Sequence, residues 1–344
     1  MDKNKITWIG LGQAGGNITQ IAETKYNYPA ICINTSKEDL SSLKNVKYPI
    51  WIENGIGTAK DRKSVIRLMS ESIDEVINKV NNLVAGDIAI VVFSGAGGTG
   101  SGSSSFICKY LVSQGKLVVP VVILPSSNES AKSHANTYDC LAELSQIDGV
   151  GGTFLLDNEN VEDKFLINNK FVADIDALLS LNHSSQYGNI DEAEIRTLLS
   201  CSGISVISRC SKAKSTASDI IHKWHNGIYA KIESSTAMYL GLSTSNRSLN
   251  SETLVSGFGG IFDTFIGISE STSLAILTGL QWPQKRIAQF RIKFEKVVKT
   301  INDTNAMQMF EMLEPLKGLS FIPTAIQPQA PTSPRDILLG LLNS

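Results

Sequence analysis

The amino-acid sequence predicts an α/β protein with a parallel-sheet, Rossmann-like first domain, a long central helix and a smaller α+β second domain. Over residues 5–156, short β-branched runs alternate with amphipathic or glycine-led stretches, as in strands joined by helical crossovers. The runs 88–93 and 117–124 show no polar alternation, which is typical of central strands that helices cover on both faces. The predicted strands of this domain are 6–9, 30–33, 48–51, 88–93, 117–124 and 153–156.

The second half of the chain begins with a long helical pattern. Apolar residues recur by threes and fours over 167–185, which predicts one helix on the order of 30 Å long at about 1.5 Å per residue. A strand near 263–269 is followed directly by another near 273–279, which favours an antiparallel or mixed sheet. The other predicted elements are a turn followed by a helix within 187–200, helices near 215–231 and 283–316 and a strand at 204–208.

Composition excludes several classes of protein. The 31 basic and 33 acidic residues leave a formal charge of −2, which does not predict whole-surface attraction to nucleic acid or anionic lipid. No apolar run approaches the roughly 20 residues of a membrane span, and the first residues lack the pattern of a signal peptide, so we expect a cytoplasmic protein. The five cysteines are widely spaced and are expected to be reduced. His222 and His225 lack further ligands at zinc spacing and indicate a metal site only weakly.

Two glycine-rich loops are the strongest chemical signals. The first, GLGQAGGN at 10–17, follows the first strand and opens a helix, where glycines let backbone amides approach a phosphate. It also fits the dinucleotide fingerprint, but Asn34 and Thr35 stand where that motif requires an acidic residue. A nicotinamide cofactor is therefore disfavoured.

The second loop, SGAGGTGSG at 94–102, lies between the buried run 88–93 and the helix expected from Ser103. This position at the carboxyl end of a central strand favours a cradle for a di- or triphosphate over a merely flexible linker. No GxxxxGK[ST] motif occurs, so a divalent cation is expected to carry more of the charge neutralisation.

These motifs together resemble the tubulin/FtsZ superfamily. GGTGSG at 97–102, GQAGGN at 12–17, INT at 33–35 and NIDEAEI at 189–195 follow the order and spacing of that family over residues 5–280. The loop 55–63 and the long helix look most like the TubZ-type tubulins of plasmids and phages. The resemblance implies a tubulin/FtsZ-like fold with a GTP-binding domain (1–166), a central helix (167–188), a second, activation domain (189–282), a C-terminal helix (283–321) and a proline-rich linker and tail (322–344).

The resemblance also implies a GTP/GDP site with Mg²⁺. Lys60, beside the family's γ-phosphate-sensing loop, either adds positive charge there or is a solvated residue at a helix start. Gln13 is expected to reach Mg²⁺ through a bound water. The implied contacts are Gly12, Gln13, Ala14 and Gly15 on the phosphates and metal, Asn17 near the ribose or base, Gly97, Gly98, Thr99, Gly100 and Ser101 on the β and γ phosphates, Gly57 and Thr58 on the γ phosphate, and Glu129 on the ribose.

The family reads guanine with an asparagine after the sixth strand and with an aromatic and a polar residue on the central helix. Asn158, Phe171 and Asp174 are the matching candidates. In the family the aromatic and polar positions are four apart, whereas Phe171 and Asp174 are three apart, so the assignment is open by one residue. Alternatively, Phe171 is a core residue and Asp174 an acid favoured near a helix start.

Asp191 and Glu194 are three residues apart and share one face of a helix start. They fit an ordinary N-cap with an acidic first turn, and the resemblance also implies that they are the catalytic acids that face the nucleotide of the next subunit. A nucleotide on one face and catalytic acids on another form a heterologous contact, which propagates into a filament.

The resemblance therefore implies a head-to-tail polymerising GTP hydrolase, with plasmid or phage DNA attached through a DNA-binding adaptor protein. An FtsZ-type cell-division or cell-shape filament, a non-polymerising nucleotide-binding regulator and a Rossmann dehydrogenase are the alternatives. The segment 336–342 has an apolar stripe and is expected either to dock on a neighbouring subunit or adaptor, or to pack weakly on its own domain.

Overall fold

One ten-stranded sheet runs through both predicted domains. The computed structural model describes residues 1–181, 188–211 and 215–308, with side chains to residue 304. The strands are β1 (Ile6–Leu11), β2 (Ala30–Asn34), β3 (Pro49–Trp51), β4 (Ile88–Ser94), β5 (Leu117–Leu124), β6 (Gly152–Asp157), β7 (Gly203–Ser211), β8 (Ala237–Thr244), β9 (Ile261–Ile268) and β10 (Thr272–Leu280). Their order across the sheet is β3-β2-β1-β4-β5-β6-β7-β10-β8-β9.

Helices cover both faces of the parallel half of this sheet. The α-helices of the described residues, in both halves, are α1 (Gly12–Tyr26), α2 (Lys37–Ser42), α3 (Arg62–Glu71), α4 (Ile73–Leu83), α5 (Thr99–Ser113), α6 (Ala131–Leu144), α7 (Lys164–Leu179), α8 (Glu192–Ser200), α9 (Ala217–Asn226), α10 (Ser251–Val255) and α11 (Gln284–Gln308). Of the described helices, none is both long enough and apolar enough to cross a membrane.

The six strands predicted for the first domain are confirmed. β1 to β6 are mutually parallel, with β1 between β2 and β4, so the carboxyl ends of all six strands meet at one edge. β4 is buried almost throughout and β5 from its second residue, because α-helical crossovers lie on both faces. The parallel-sheet, Rossmann-like architecture predicted for the first domain is thereby present.

The second half of the sheet is mixed, as the two consecutive strands predicted. β6 and β7 are parallel, β10 lies antiparallel between β7 and β8, and β9 pairs in parallel with β8. β9 and β10 are therefore consecutive in sequence but not neighbours in the sheet. The sequence analysis did not predict β8 or α10. β8 pairs with strands that lie further along the chain, and a strand that depends on such pairing has a weak local signal.

The long helices differ slightly from their predicted bounds. α7 begins at Lys164, where Asp163 caps it, and ends at Leu179 with Ser180 at its C-cap, so the helix predicted over 167–185 starts earlier and ends sooner than predicted; residues 182–187 lie outside the described residues. α11 begins one residue after the predicted start. The proline-rich linker and the tail at 322–344 also lie outside the described residues.

Candidate functional site: a nucleotide cleft at the carboxyl edge of the sheet

The two glycine-rich loops lie side by side because β1 and β4 are parallel neighbours. Leu11 of β1 pairs with Phe93 of β4, and each strand then leads into its loop. Gly12 has a φ of +70°, a left-handed conformation that glycine adopts without strain, and a Cβ there would lie 3.2 Å from the amide nitrogen of Gly100. The predicted loops therefore touch each other and form one surface.

The start of α5 has the geometry of an anion site. Thr99, Gly100 and Ser101 form its first turn, and no side chain caps the free N–H groups there. A Cβ built on Gly97 would meet no atom within 4 Å, so the space in front of this turn is open. A triphosphate tail fits this cradle, since it supplies the acceptors that the first turn of α5 lacks.

Buried hydroxyl and amide groups at the end of β2 hold the start of α5 in position. The Thr99 hydroxyl lies 2.7 Å from the Thr35 hydroxyl and donates to Asn34 Oδ1 at 3.2 Å. All three residues are buried. The INT motif therefore holds the turn that carries the predicted phosphate contacts.

The remaining residues of the first loop lie on the first turns of α1. Gly15 is buried, and its missing Cβ lets α1 pack directly on β4, where a Cβ would lie 2.1 Å from the Val92 carbonyl oxygen. Gln13 is exposed, and Ala14 and Asn17 are half-buried. Within the described residues no cluster of three His, Cys, Asp or Glu could hold a metal ion, so phosphate oxygens and water would supply most magnesium ligands.

The loop 55–61 closes over the second phosphate loop. A Cβ on Gly98 would lie 2.1 Å from Thr58 Oγ1, so the two loops are in direct contact. Ala59 and Lys60 have φ values of 45° and 63°, which is unusual for non-glycine residues and indicates that the surroundings hold the loop in place. The predicted residues Gly57 and Thr58 thus lie beside the cradle.

Asn136, on α6, ties these two loops together and was missed by the sequence analysis. Its Nδ2 donates to the Lys60 carbonyl at 2.9 Å and reaches the Ala96 and Gly97 carbonyls at 3.3 and 3.4 Å. The Lys60 ammonium donates to Ser133 on the same helix at 2.6 Å. Lys60 is therefore not simply solvated, and its role toward a phosphate stays a prediction. No motif marks Asn136, because its role depends on how α6 packs.

Two of the residues predicted to contact the ribose and the base lie where β5, β6 and α7 meet. Glu129, in the loop after β5, accepts a hydrogen bond from Lys164 at the start of α7 at 3.1 Å. Asn158 directly follows β6 and is half-buried. These two predicted residues therefore lie on adjacent loops.

The structure contradicts the prediction that Phe171 and Asp174 read the base. Phe171 has no exposed surface and packs against Trp8, Phe154 and Tyr229, with ring centroids 5.5 to 6.5 Å away. Asp174 is 1% exposed, and its two oxygens pair with Lys170 at 2.8 Å and Arg209 at 3.0 Å. Both side chains lie on the face of α7 that packs on the domain interior, so neither reaches the cleft.

Phe165 and Asn169 lie on the exposed face of α7 instead. Phe165 is 69% exposed and follows Lys164, the partner of Glu129. Asn169 lies four residues later, is exposed, and accepts from Lys25 of α1 at 2.6 Å. This pair has the four-residue spacing that Phe171 and Asp174 lack, so it fits the spacing implied by the family resemblance.

Asp191 and Glu194 form a capping box at the start of α8. Asp191 Oδ1 accepts from the Glu194 amide and Glu194 Oε2 accepts from the Asp191 amide, both at 2.8 Å. The capping interpretation is confirmed, with Asp191 at the N-cap, so it is Glu192 that opens the helix. The catalytic role of the two acids stays a prediction.

The same two acids lie at the opposite edge of the sheet from the phosphate loops. Glu192 pairs with Lys5, which precedes β1, at 2.9 Å, and Arg196 pairs with Asp87, which precedes β4, at 3.0 Å. α8 therefore lies at the amino ends of the strands whose carboxyl ends carry the cradle. A strand of six residues is about 20 Å long, so the structure does not bring the acids and the cradle together within one chain.

A parallel sheet with adjacent phosphate loops after its first and fourth strands and a long helix beside the cleft defines a nucleotide-binding protein of the tubulin type. The GTPase-domain model of the Tubulin/FtsZ family matches residues 5–165. The chain belongs to the tubulin/FtsZ family of GTPases.

Within this family the chain is similar to phage TubZ. It is 30% identical to the tubulin-like protein TubZ of Clostridium botulinum C phage over 298 residues, which are 83% of this chain and 82% of the relative. The crystal structure of Clostridium botulinum phage c-st TubZ matches with a TM-score of 0.79 at 27% identity, covering 87% of this chain and all of the other. A GTPγS-form protofilament of Bacillus thuringiensis TubZ shares the fold, with a TM-score of 0.74 at 17% identity over 89% of this chain and 94% of the other.

Proposed function

We propose that this chain is a GTPase that assembles head to tail and whose active site is completed by Asp191 and Glu194 of the next subunit. The observation that carries the proposal is the placement of the capping box at the amino edge of the sheet and of the cradle at its carboxyl edge. Acids about 20 Å from the cradle can act on a bound nucleotide only when a second chain presents them. Stacking such chains in one direction produces an open filament.

The chemistry assigned to each group follows from its position. Carboxylates beside a triphosphate orient and polarise the attacking water, and the amides at the start of α5 stabilise charge on the phosphoryl oxygens. Bound Mg²⁺ supplies further charge neutralisation, and Gln13 would hold it through a coordinated water. Asp191 and Glu194 can both cap α8 and orient the attacking water. One carboxylate oxygen of each accepts a capping hydrogen bond, which leaves the other oxygen for the water.

An exposed apolar side chain beside the cradle supports a contact with another subunit. Ile56, in the loop that closes over Gly98, is 93% exposed. Ile56 would be removed from water if the next subunit covers the loop beside the proposed phosphate site. A protein of the same fold, TubZ of Bacillus thuringiensis, forms a protofilament in its GTPγS form.

Guanine is the base that we assign to the cleft. Phe165 offers an exposed ring for stacking, and we assign recognition of the base edge to the polar groups of Asn169 and Asn158. A site that hydrogen-bonds a particular base edge rejects an analogue with the wrong donors, so GTP should bind on the order of 100-fold more tightly than ATP. Equal affinity for the two nucleotides would contradict this assignment.

The cargo that we propose is plasmid or phage DNA, attached through a DNA-binding adaptor. The similarity to a phage TubZ and the formal charge of −2, which gives little direct attraction to DNA, both favour this indirect linkage in the cytoplasm. An FtsZ-type role in cell division is the second candidate. Co-sedimentation of filaments with plasmid DNA in the presence and absence of a candidate DNA-binding adaptor tests the first role.

The catalytic proposal is tested with variants that keep the helix cap. Asp191→Asn and Glu194→Gln retain the capping hydrogen bonds but remove one negative charge each, so folding and GTP binding should be unchanged. We expect GTP hydrolysis to fall by about 100-fold or more, by analogy with the loss of other charge-stabilising groups, and the filaments to persist. Light scattering and phosphate release measure the two effects.

Glu192→Gln is the matched control, because it lies on the same turn but pairs with Lys5. It should hydrolyse GTP at the wild-type rate. The shared-site proposal fails if Asp191→Asn and Glu194→Gln also keep the wild-type rate. It fails as well if dilute monomer hydrolyses GTP as fast per molecule as concentrated protein.

A further inference from the structure

Arg286 connects α11 to the two loops on the nucleoside side of the cleft. Its guanidinium donates through Nε and Nη2 to the two oxygens of Asp157, both at 2.8 Å, and through Nη2 to the Pro125 carbonyl, also at 2.8 Å. The Arg286 and Asp157 side chains are only 11% and 3% exposed. This forked pair is held within the protein, where a bidentate geometry fixes orientation as well as distance.

The two acceptors of Arg286 lie next to the predicted nucleoside contacts. Pro125 directly follows β5 and begins the loop that contains Glu129, while Asp157 ends β6 and precedes Asn158. A second tie joins the same loops, because Glu159 accepts from the amide and from the hydroxyl of Ser127. The two loops are therefore linked to each other as well as to α11.

Arg286 is itself held in a defined position. Glu233, in the segment before β8, accepts from the backbone amides of Lys285 and Arg286 at 2.9 and 3.2 Å. The guanidinium lies 4.8 Å from the ring of Phe290, which is fully buried and stacks on His134 of α6 at 5.7 Å. The arginine is thus hydrogen-bonded to Glu233 and to both loops and packs on Phe290, which in turn stacks on α6.

We propose that Arg286 is a positioning residue for the nucleoside: α11 places a forked cation that aligns the loops bearing Glu129 and Asn158. This inference rests on the proposed function, since it takes these two residues as ribose and base contacts. The phosphate cradle is held by other groups, chiefly Asn34, Thr35 and Asn136. Loss of the fork should therefore weaken binding of the nucleoside part and spare binding of the phosphates.

The test compares GTP with inorganic tripolyphosphate, each in the presence of Mg²⁺, on dilute full-length protein. Arg286→Lys keeps the positive charge but cannot form the fork, and Asp157→Asn weakens the fork from the other side. We expect both variants to lose about tenfold or more in GTP affinity and less than twofold in tripolyphosphate affinity. Calorimetry or displacement of a fluorescent GTP analogue measures both ligands.

Arg291→Lys is the matched control, because Arg291 lies on the same helix and pairs with Glu295 at the surface at 2.7 Å. It should leave both affinities unchanged. Equal losses for the two ligands would mean that Arg286 only stabilises the fold, and unchanged GTP affinity in both variants would mean that it does not position the site; either result overturns the inference alone. Wild-type protein that binds GTP no better than tripolyphosphate would overturn the proposed function and the inference with it.

Discussion

Gly97 and Gly98 are adjacent residues with different surroundings. A Cβ on Gly97 projects into open space, where we place the phosphates, whereas a Cβ on Gly98 would lie 2.1 Å from Thr58 Oγ1 and 3.2 Å from the Lys60 Cα. Gly97→Ala should therefore lower GTP affinity by roughly tenfold with little loss of stability. Gly98→Ala should cost about 1–3 kcal/mol of stability, because the loop 55–61 must move. Thermal unfolding and GTP titration of the two variants distinguish these effects; a reversed pattern would show that Gly97 does not face the ligand.

Phe165 and Phe171 lie on the same helix, one exposed and one buried. Phe165→Ala should leave stability nearly unchanged and lower GTP affinity by roughly 5- to 150-fold, the range of a lost base stack of about 1–3 kcal/mol. Phe171→Ala should cost about 3–5 kcal/mol of stability, because it leaves a cavity among Trp8, Phe154 and Tyr229. Denaturant unfolding with and without GTP measures both quantities. A GTP affinity unaffected by Phe165→Ala would contradict the new base assignment.

At the scale of elements, the cap of α8 gives a stability prediction that is independent of catalysis. Asp191→Ala removes the acceptor of the Glu194 amide and should destabilise the protein by about 1 kcal/mol. Asp191→Asn should leave stability unchanged, since asparagine caps helices as well as aspartate does. Urea unfolding of both variants at the same protein concentration measures the difference. Equal stability of the two variants would mean that the cap contributes little.

The contact between α6 and α11 should make stability depend on pH. His134 is 1% exposed and stacks on Phe290, and burial, followed by the positive charges of Lys293 and Arg286, lowers its pKa. The folded state therefore keeps His134 neutral while the unfolded chain binds a proton near pH 6.5. Stability from this group is complete above about pH 7 and falls as the pH drops through 6.5, by at most about 1.4 kcal/mol per pH unit. His134→Phe should reduce the slope of the unfolding free energy against pH between pH 7 and 5. An unchanged slope would show that groups other than His134 cause the pH dependence.

At the scale of the whole molecule, the exposed Ile56 should decide assembly without affecting nucleotide binding. Ile56→Asp places a charge on the surface that we assign to the next subunit, so the critical concentration for polymerisation should rise by about tenfold or more. Ile292→Asp is the control, because Ile292 is also an exposed apolar residue, at 61%, but lies on α11. Sedimentation with GTP measures both. Normal assembly of Ile56→Asp would remove this loop from the subunit contact.

Local patterns were enough to predict the cradle. β-branched runs followed at once by glycines mark strand ends, so the loops at 10–17 and 94–102 were correctly predicted to follow strands of a parallel sheet. The capping box of α8 was also predictable, since its residues are three apart and interact within one turn.

The sequence by itself therefore determined the fold family, the strands of the first domain and the phosphate loops, all of which depend on interactions close along the chain. Only the tertiary structure decided which face of α7 is buried: Phe171 and Asp174 lie on the buried face, and Phe165 is exposed. Both faces of that helix carry apolar residues, so periodicity alone does not orient it. The sequence also did not predict two long-range features: the position of β10 between β7 and β8, and the bidentate ion pair between Arg286 and Asp157. They join residues far apart in the chain, and such contacts depend on tertiary packing, which no local pattern of residues encodes.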